Sequence, residues 1–502
     1  MDGCRVLTTA QMREAYAAAI AAGTAGIDLM RRAGAAVAER AAAMAGPGAR
    51  VLVLCGPGNN GGDGFVAAGL LAGAGRAVTL ALLGARDALK GDAALAAQDW
   101  SGPVADAAAA VPEAFDLVVD ALFGAGLTRP LDGAAAALVA RLNRAGRPVL
   151  AVDVPSGLDG DTGAPRGEAV RAGETVTFAA PKPGHLLQPG RALCGRITVA
   201  EIGLSDEILA GTGTTAFANG PALWRARFPQ LAADSHKYTR GHALILSGPA
   251  TRTGAARLAA RGALRVGAGL VTVAAPHAAL PENAAHLTAI MLRACDGADD
   301  LDDLLADERL NAIVAGPGLG VGGPTRDLVR VAAEAGRALV LDADALTSFS
   351  AKRDELAAML AEGGGTAVLT PHAGEFARLF PDCAEGSKLD RARRAAAAVD
   401  AVVVFKGADT VIAAPDGRAA INHNGAPWLG TAGSGDVLGG FIGGLLAQGM
   451  PPFEAAAAAV WLHAEAGRRH GPGLIAEDLP ELMPGVLARL LGWAGPDRAP
   501  AG

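Results

Sequence analysis

Short apolar runs recur along this chain, and many of them lead into a polar or glycine-rich loop and then a stretch with helical spacing. Residues 8–45 read as helical, with Met12, Ala15, Ile20, Leu29, Met30 and Val37 at roughly that spacing. Runs at 50–55, 77–83, 115–120, 148–153 and 196–202 read as strands, and residues 65–74, 87–100 and 132–145 as the helices between them. The same grammar returns further on. Strands are expected at 242–247, 270–274, 311–315, 338–342, 367–370 and 401–405, with a helix over 254–266. Such alternation predicts parallel sheets covered by helices. Residues 204–233 contain Gly211, Gly213 and Gly220 without a sustained amphipathic pattern, so a connecting segment is expected there. The expected fold class is α/β in two domains, residues 1–220 and residues 221–502.

Composition supports that division. A chain of 502 residues is too long for one core. Hydrophobic residues make up 51% and aromatics only 4%, which suits helices packed closely on sheets through Ala and Gly. The net charge of −7 with no basic run gives no support for nucleic acid as the main partner. Cys4, Cys55, Cys194, Cys295 and Cys383 are scattered without a CxxC pair, so neither a disulfide framework nor a zinc site is expected, and a reducing cytoplasm fits. Asp2 and Arg5 interrupt the first apolar stretch, so no signal peptide is expected, nor is a membrane span.

The chemistry collects in the loops. Gly430-Thr-Ala-Gly-Ser-Gly-Asp436 precedes Val437, which reads as the first turn of a helix. Free N–H groups at such a start make a phosphate cradle. A carboxylate there repels phosphate, but it suits a base that takes a proton from a hydroxyl attacking a phosphoryl group. Lys406 and the backbone to Thr410 could hold a nucleotide phosphate, while Glu375 and Asp342 could organise Mg²⁺. In the first half, Gly56-Pro-Gly-Asn-Asn-Gly-Gly-Asp-Gly64 follows a strand. It has neither the Lys nor the Ser/Thr of a Walker A loop. Two further strands end at Asp120 and Asp153, the latter leading to Ser156. Polar groups at successive strand ends of an open parallel sheet mark a ligand crevice. Oxygens from Asn60, Asp120 and Ser156 suit a hard cation, which leaves Asp153 free for acid or base work.

Gly56–Gly64, Asp120–Thr128, Asp153–Gly160 and Thr177–His185 resemble the signature segments of the NAD(P)H-hydrate epimerase family. That resemblance covers about residues 8–220. It implies a Rossmann-like sheet that interconverts the R and S hydrates of NADH and NADPH and binds K⁺. It would place K⁺ on Asn60, Asp120 and Ser156. The hydrate would lie on Asn59, Asn60, Gly61, Gly62, Asp63, Gly124, Ala125, Gly126, Leu127, Thr128, Arg129, Pro130 and Asp153, with Asp153 catalytic. Lys182 and His185 are expected to be parts of a structural loop.

Residues 234–490 resemble the ADP-dependent NAD(P)H-hydrate dehydratase family of the ribokinase-like group. The match rests on His236-Lys237, Gly254–Gly269, Gly316–Gly320, Thr370–Glu375, Lys406–Thr410 and Gly430–Asp436. It implies that Ala255, Gly318, His372 and Asp436 bind the hydrate and that Lys406, Gly407, Ala408, Asp409, Thr410 and Gly435 bind adenine nucleotide. Asp436 would be catalytic, ADP the phosphoryl donor and Mg²⁺ its companion. Tyr238-Thr239-Arg240, Ala432, Ser434 and a weak Leu287–Met291 segment depart from the family pattern. The combined expectation is a bifunctional cytoplasmic repair enzyme, a homo-oligomer binding NAD(P)H hydrates and adenine nucleotide. The alternatives are a vitamin-precursor kinase of the ribokinase-like group with a fused binding module, or a non-catalytic N-terminal half.

Overall fold

The structure is a computed structural model and describes residues 3–231 and 235–493. They form two compact units, residues 5–216 and residues 217–493, the latter also taking residues 3 and 4.

In the first unit the strands are β1 (Arg50–Cys55), β2 (Ala77–Leu82), β3 (Val104–Asp106), β4 (Leu117–Ala121), β5 (Val149–Val152), β6 (Glu174–Phe178) and β7 (Arg196–Ala200). The sheet order is β3-β2-β1-β4-β5-β6-β7, with every neighbouring pair parallel. The direction of winding reverses between β1 and β4, so a crevice opens at their C-terminal ends.

The single helix expected over 8–45 is two, α1 (Thr9–Ala21) and α2 (Gly26–Met44). Gly23, with φ 100°, breaks the run between them. The Gly56–Gly64 loop is shorter than expected, because helix α3 (Asn59–Gly73) starts inside it. Its glycines permit that close docking. A Cβ on Gly56 would lie 1.7 Å from the Leu122 carbonyl oxygen, and one on Gly61 1.9 Å from that of Gly56. Helix α4 (Gly133–Ala145) crosses from β4 to β5.

The second unit carries β8 (His242–Leu246), β9 (Leu270–Ala275), β10 (Met291–Ala294), β11 (Ala312–Ala315), β12 (Ala338–Leu341), β13 (Ala367–Leu369), β14 (Val402–Phe405), β15 (Val411–Ala413) and β16 (Ala419–Ile421). They follow the order β16-β15-β14-β13-β12-β11-β8-β9-β10. Pairing is parallel from β14 to β10, and β15 and β16 add an antiparallel ribbon that the periodicity did not reveal. Here winding reverses between β8 and β11.

Three helices frame the site: α5 (Gly254–Val266), α6 (Ser434–Ala447) and α7 (Pro452–His470). Helices α5 and α6 pack backbone to backbone, since a Cβ on Gly440 would sit 2.0 Å from the Ala259 carbonyl oxygen. The low aromatic content follows from this packing: the core is filled by small side chains at short interhelical distance.

The expected connecting segment holds short elements of its own, including helix Asp206–Gly211, strand Ala216–Ala218 and helix Pro221–Trp224. Each is too brief to show a period. Residues 232–233 of that segment lie outside the described residues. No helix among the described residues is long and apolar enough to cross a membrane.

Candidate active sites

In the first unit a cavity of about 690 Å³ opens over the C-terminal ends of β1 and β4. Asn59, Asn60, Asp63, Gly124–Arg129 and Asp153 line it, and α1 adds Arg13 and Tyr16, which the motifs did not indicate. Of the residues expected on the hydrate, Gly61, Gly62 and Pro130 are not in the wall. A Cβ on Gly62 would instead meet Met30 Sδ at 2.6 Å.

Asp153 sits just past β5 with φ 67°, an uncommon conformation for a residue with a side chain. Its Oδ1 accepts hydrogen bonds from Lys182 Nζ at 2.5 Å and Thr177 Oγ1 at 3.3 Å, and its Oδ2 one from the Ala125 N–H at 2.8 Å. Burial opposes its charge, but Lys182 and the Ala125 N–H prevail and hold its pKa below the usual value.

Lys182 is nearly inaccessible and also donates to Thr177 Oγ1 at 2.8 Å. The Lys182 N–H donates to His185 Nδ1 at 2.9 Å, so His185 carries its proton on Nε2 and donates to the Asp153 carbonyl at 2.7 Å. Burial, reinforced by Lys182, lowers the His185 pKa to about 4, so the ring is neutral. Lys182 and His185 therefore do more than shape a loop: they hold Asp153. Sequence did not couple them to it, because they follow it by 29 and 32 positions and only the strand β6 brings them back.

Asp120, fully buried at the end of β4, accepts from the Ser156 N–H at 2.8 Å and Ser156 Oγ at 2.6 Å. Burial raises its pKa to about 6, and no cationic side chain among the described residues pairs with it. Asn60 stands in the first turn of α3, and its Nδ2 is buried without a partner among the described residues. A Cβ on Gly124 would touch both Asn60 Oδ1, at 3.0 Å, and Asp153 Oδ2, at 2.8 Å.

In the second unit Gly433 takes φ 84° and caps α6. Among the described residues no acceptor is found for the N–H of Gly435 or Asp436, which leaves two donors at the helix start. Asp436 lies in the first turn, and burial together with Asp342 raises its pKa to about 6. Lys406 Nζ donates to Asp342 Oδ1 at 2.7 Å, beside Gly435. Glu375 accepts the His372 N–H at 2.9 Å, and burial raises its pKa.

His372 itself caps the helix Ala373–Leu379. Gly407 donates through its N–H to Thr410 Oγ1 at 3.1 Å, and Asp409 pairs with Lys388 Nζ at 2.6 Å. Lys388 had no motif to mark it. Ala408 lies within this turn, between Gly407 and Asp409.

The first turns of α5, with Ala255, lie between the two glycine loops. A Cβ on Gly318 would be 2.7 Å from the Arg252 carbonyl oxygen, and one on Gly433 2.6 Å from Leu258 Cδ1. His463 of α7 braces the cradle with Nε2 2.9 Å from the Ser434 carbonyl. Among the described residues no three His, Cys, Asp or Glu side chains form a metal cluster in either unit.

Two family models match the chain. One, described as NAD(P)H-hydrate dehydratase, spans residues 243–480, and one described as YjeF-related protein N-terminus spans residues 26–184. The chain is 39% identical over 475 residues to a bifunctional NAD(P)H-hydrate repair enzyme of Moorella thermoacetica, covering 88% of each. It is 37% identical over 489 residues to one of Thermofilum pendens, covering 92% of each. Among solved structures, an ADP/ATP-dependent NAD(P)H-hydrate dehydratase from Bacillus subtilis, co-crystallised with ATP and Mg²⁺, is 30% identical. It spans 54% of this chain and 98% of that one, with a TM-score of 0.48.

Proposed function

The chain belongs to the family of bifunctional NAD(P)H-hydrate repair enzymes, and from that premise we propose how its residues divide the two reactions. The enzyme interconverts the R and S hydrates and returns the S form to NAD(P)H. The alternative of a vitamin-precursor kinase with a binding module is not favoured.

In the first unit Asp153 is the proton-transferring residue, and the supporting observation is its buried, ion-paired carboxylate in the wall of the cavity. Asn60, Asp120 and Ser156 hold K⁺. The donor chemistry fits: Asp120 is a buried carboxylate that among the described residues has no cationic partner, Ser156 Oγ lies 2.6 Å from it, and Asn60 offers a further neutral oxygen. The ion would supply that missing charge and fix the strand ends around the hydrate.

In the second unit Asp436 takes the proton of the hydrate hydroxyl, and the oxygen attacks the β-phosphorus of ADP. AMP leaves. Loss of phosphate and of a neighbouring C–H proton then restores the ring double bond, because phosphate departs where hydroxide would not. Lys406, the Gly407–Thr410 turn and the N–H of Gly435 hold the nucleotide phosphates. Asp409 orders that turn through Lys388 rather than facing phosphate. Mg²⁺, with Asp342 and Glu375 as oxygen donors and water completing its shell, would neutralise phosphate charge; two carboxylates suit an ion that keeps several waters. Ala255, Gly318 and His372 wall the hydrate.

Absorbance at 340 nm with mixed R and S hydrates, ADP, Mg²⁺ and K⁺ tests the whole. Full recovery of NADH is expected. Recovery of the S fraction alone would overturn the epimerase half, and phosphorylation of another alcohol without NADH would overturn both.

A further inference from the structure

The first cavity holds two carboxylates in opposite environments. Asp153 is met by Lys182 Nζ, Thr177 Oγ1 and the Ala125 N–H. Asp63, one helical turn beyond Asn60 on α3, shares the cavity wall and is buried. Among the described residues its carboxyl makes no hydrogen bond and no ion pair. The titratable groups that act on it or feel its charge are Asp153, Lys182, Tyr16 of α1 and Cys55 of β1, and Arg13 and Asp92 share the cavity wall. Lys182 is already committed to Asp153.

Resting on the epimerase reading above, we propose that Asp63 is a second catalytic residue of this site, the proton donor that works opposite Asp153. Burial first, and the charge of Asp153 second, raise the Asp63 pKa well above the usual aspartate value, with Lys182 opposing. Two carboxyls in one site with environments that push them apart make an acid and a base.

The hydrate makes both roles useful. Water added to the dihydronicotinamide ring leaves a hydroxyl on the carbon bonded to the ring nitrogen. The nitrogen lone pair expels that hydroxyl: the C–O bond breaks, the Asp63 proton leaves with it as water, and the ring becomes an iminium cation. Water then returns to the other face. A C–O bond forms, its surplus proton passes to Asp153, and the ring charge is discharged. Asp153 returns its proton to Asp63 through cavity water, so both groups and the atom count are restored without any redox partner.

This route carries an isotopic signature. In ¹⁸O-water the wild-type enzyme, given the R hydrate without ADP, should incorporate one solvent oxygen into each molecule it inverts. Inversion without ¹⁸O would mean that the ring opens and recloses instead, and would overturn the proposal. Asp63→Asn should slow inversion by about 100-fold or more, with Asp63→Glu recovering part of the rate. Dehydration of pure S hydrate with ADP, read on the same protein, should stay unchanged. Normal inversion by Asp63→Asn would overturn the assignment even with ¹⁸O incorporated. A wild type that dehydrates the S hydrate but inverts nothing above the spontaneous rate would sink the epimerase reading itself, a different result from either.

Discussion

At the scale of the residue, Asp153 illustrates what it takes to keep a base ready inside a protein. A left-handed backbone at a residue with a Cβ costs on the order of 1–3 kcal/mol, and neighbours must impose it. Here the Asp153 N–H donates to the Val176 carbonyl at 2.7 Å while its own carbonyl is held by His185. Lys182 supplies the counter-charge. Lys182→Met should therefore lower the inversion rate by about 10- to 100-fold, while ADP-dependent loss of the S hydrate in a 340 nm assay stays at the wild-type rate.

Asp436 makes a second prediction. As a base it must be ionised, and burial has raised its pKa to about 6. The kcat/KM for S hydrate should be level above pH 7 and fall about tenfold per unit below about pH 6. An acid role would give the opposite slope.

The elements place these residues through backbone contacts that only glycine allows. Helix α3 begins at Asn59, and a side chain at Gly61 in its first turn would collide with the Gly56 carbonyl. Gly61→Ala should destabilise the first unit by about 3 kcal/mol, at the upper end of overpacking costs, seen as a lower denaturant midpoint.

The strand ends add a prediction about K⁺. If Asn60, Asp120 and Ser156 hold the ion, raising KCl at constant ionic strength should raise the unfolding temperature of the first unit, and LiCl should not. Asp120→Asn should abolish the difference.

For the whole molecule, two sites in two compact units predict separable activities. Asp153→Asn should leave the S hydrate reaction intact, and Asp436→Asn should leave inversion intact. An equimolar mixture of the two variants should recover NADH from both epimers, because the S hydrate released by one is the substrate of the other. Failure of the mixture with each single activity intact would mean that the hydrate passes between sites without release.

Much of this was legible in order along the chain. The strand–loop–helix grammar marked both parallel sheets, since period and punctuation are local properties set by side-chain spacing and by Gly. The motifs marked Asp153, Asp120, Asn60, Lys406 and Asp436, because each stands beside a recognisable loop. The short ribbon of β15 and β16 and the elements between residues 206 and 224 escaped, as elements of three to six residues are too short to show a period. What only the tertiary structure decided is which groups touch. Lys182 and His185 reach Asp153 across β6, Tyr16 of α1 closes a cavity whose floor lies at β1 and β4, and Lys388 finds Asp409. The physical reason is that the charge state of a carboxylate depends on burial and on neighbours at about 3 Å. Asp63 and Asp153 are the same residue type in the sequence, and only the fold gives one a lysine and raises the pKa of the other through burial and the charge of the first.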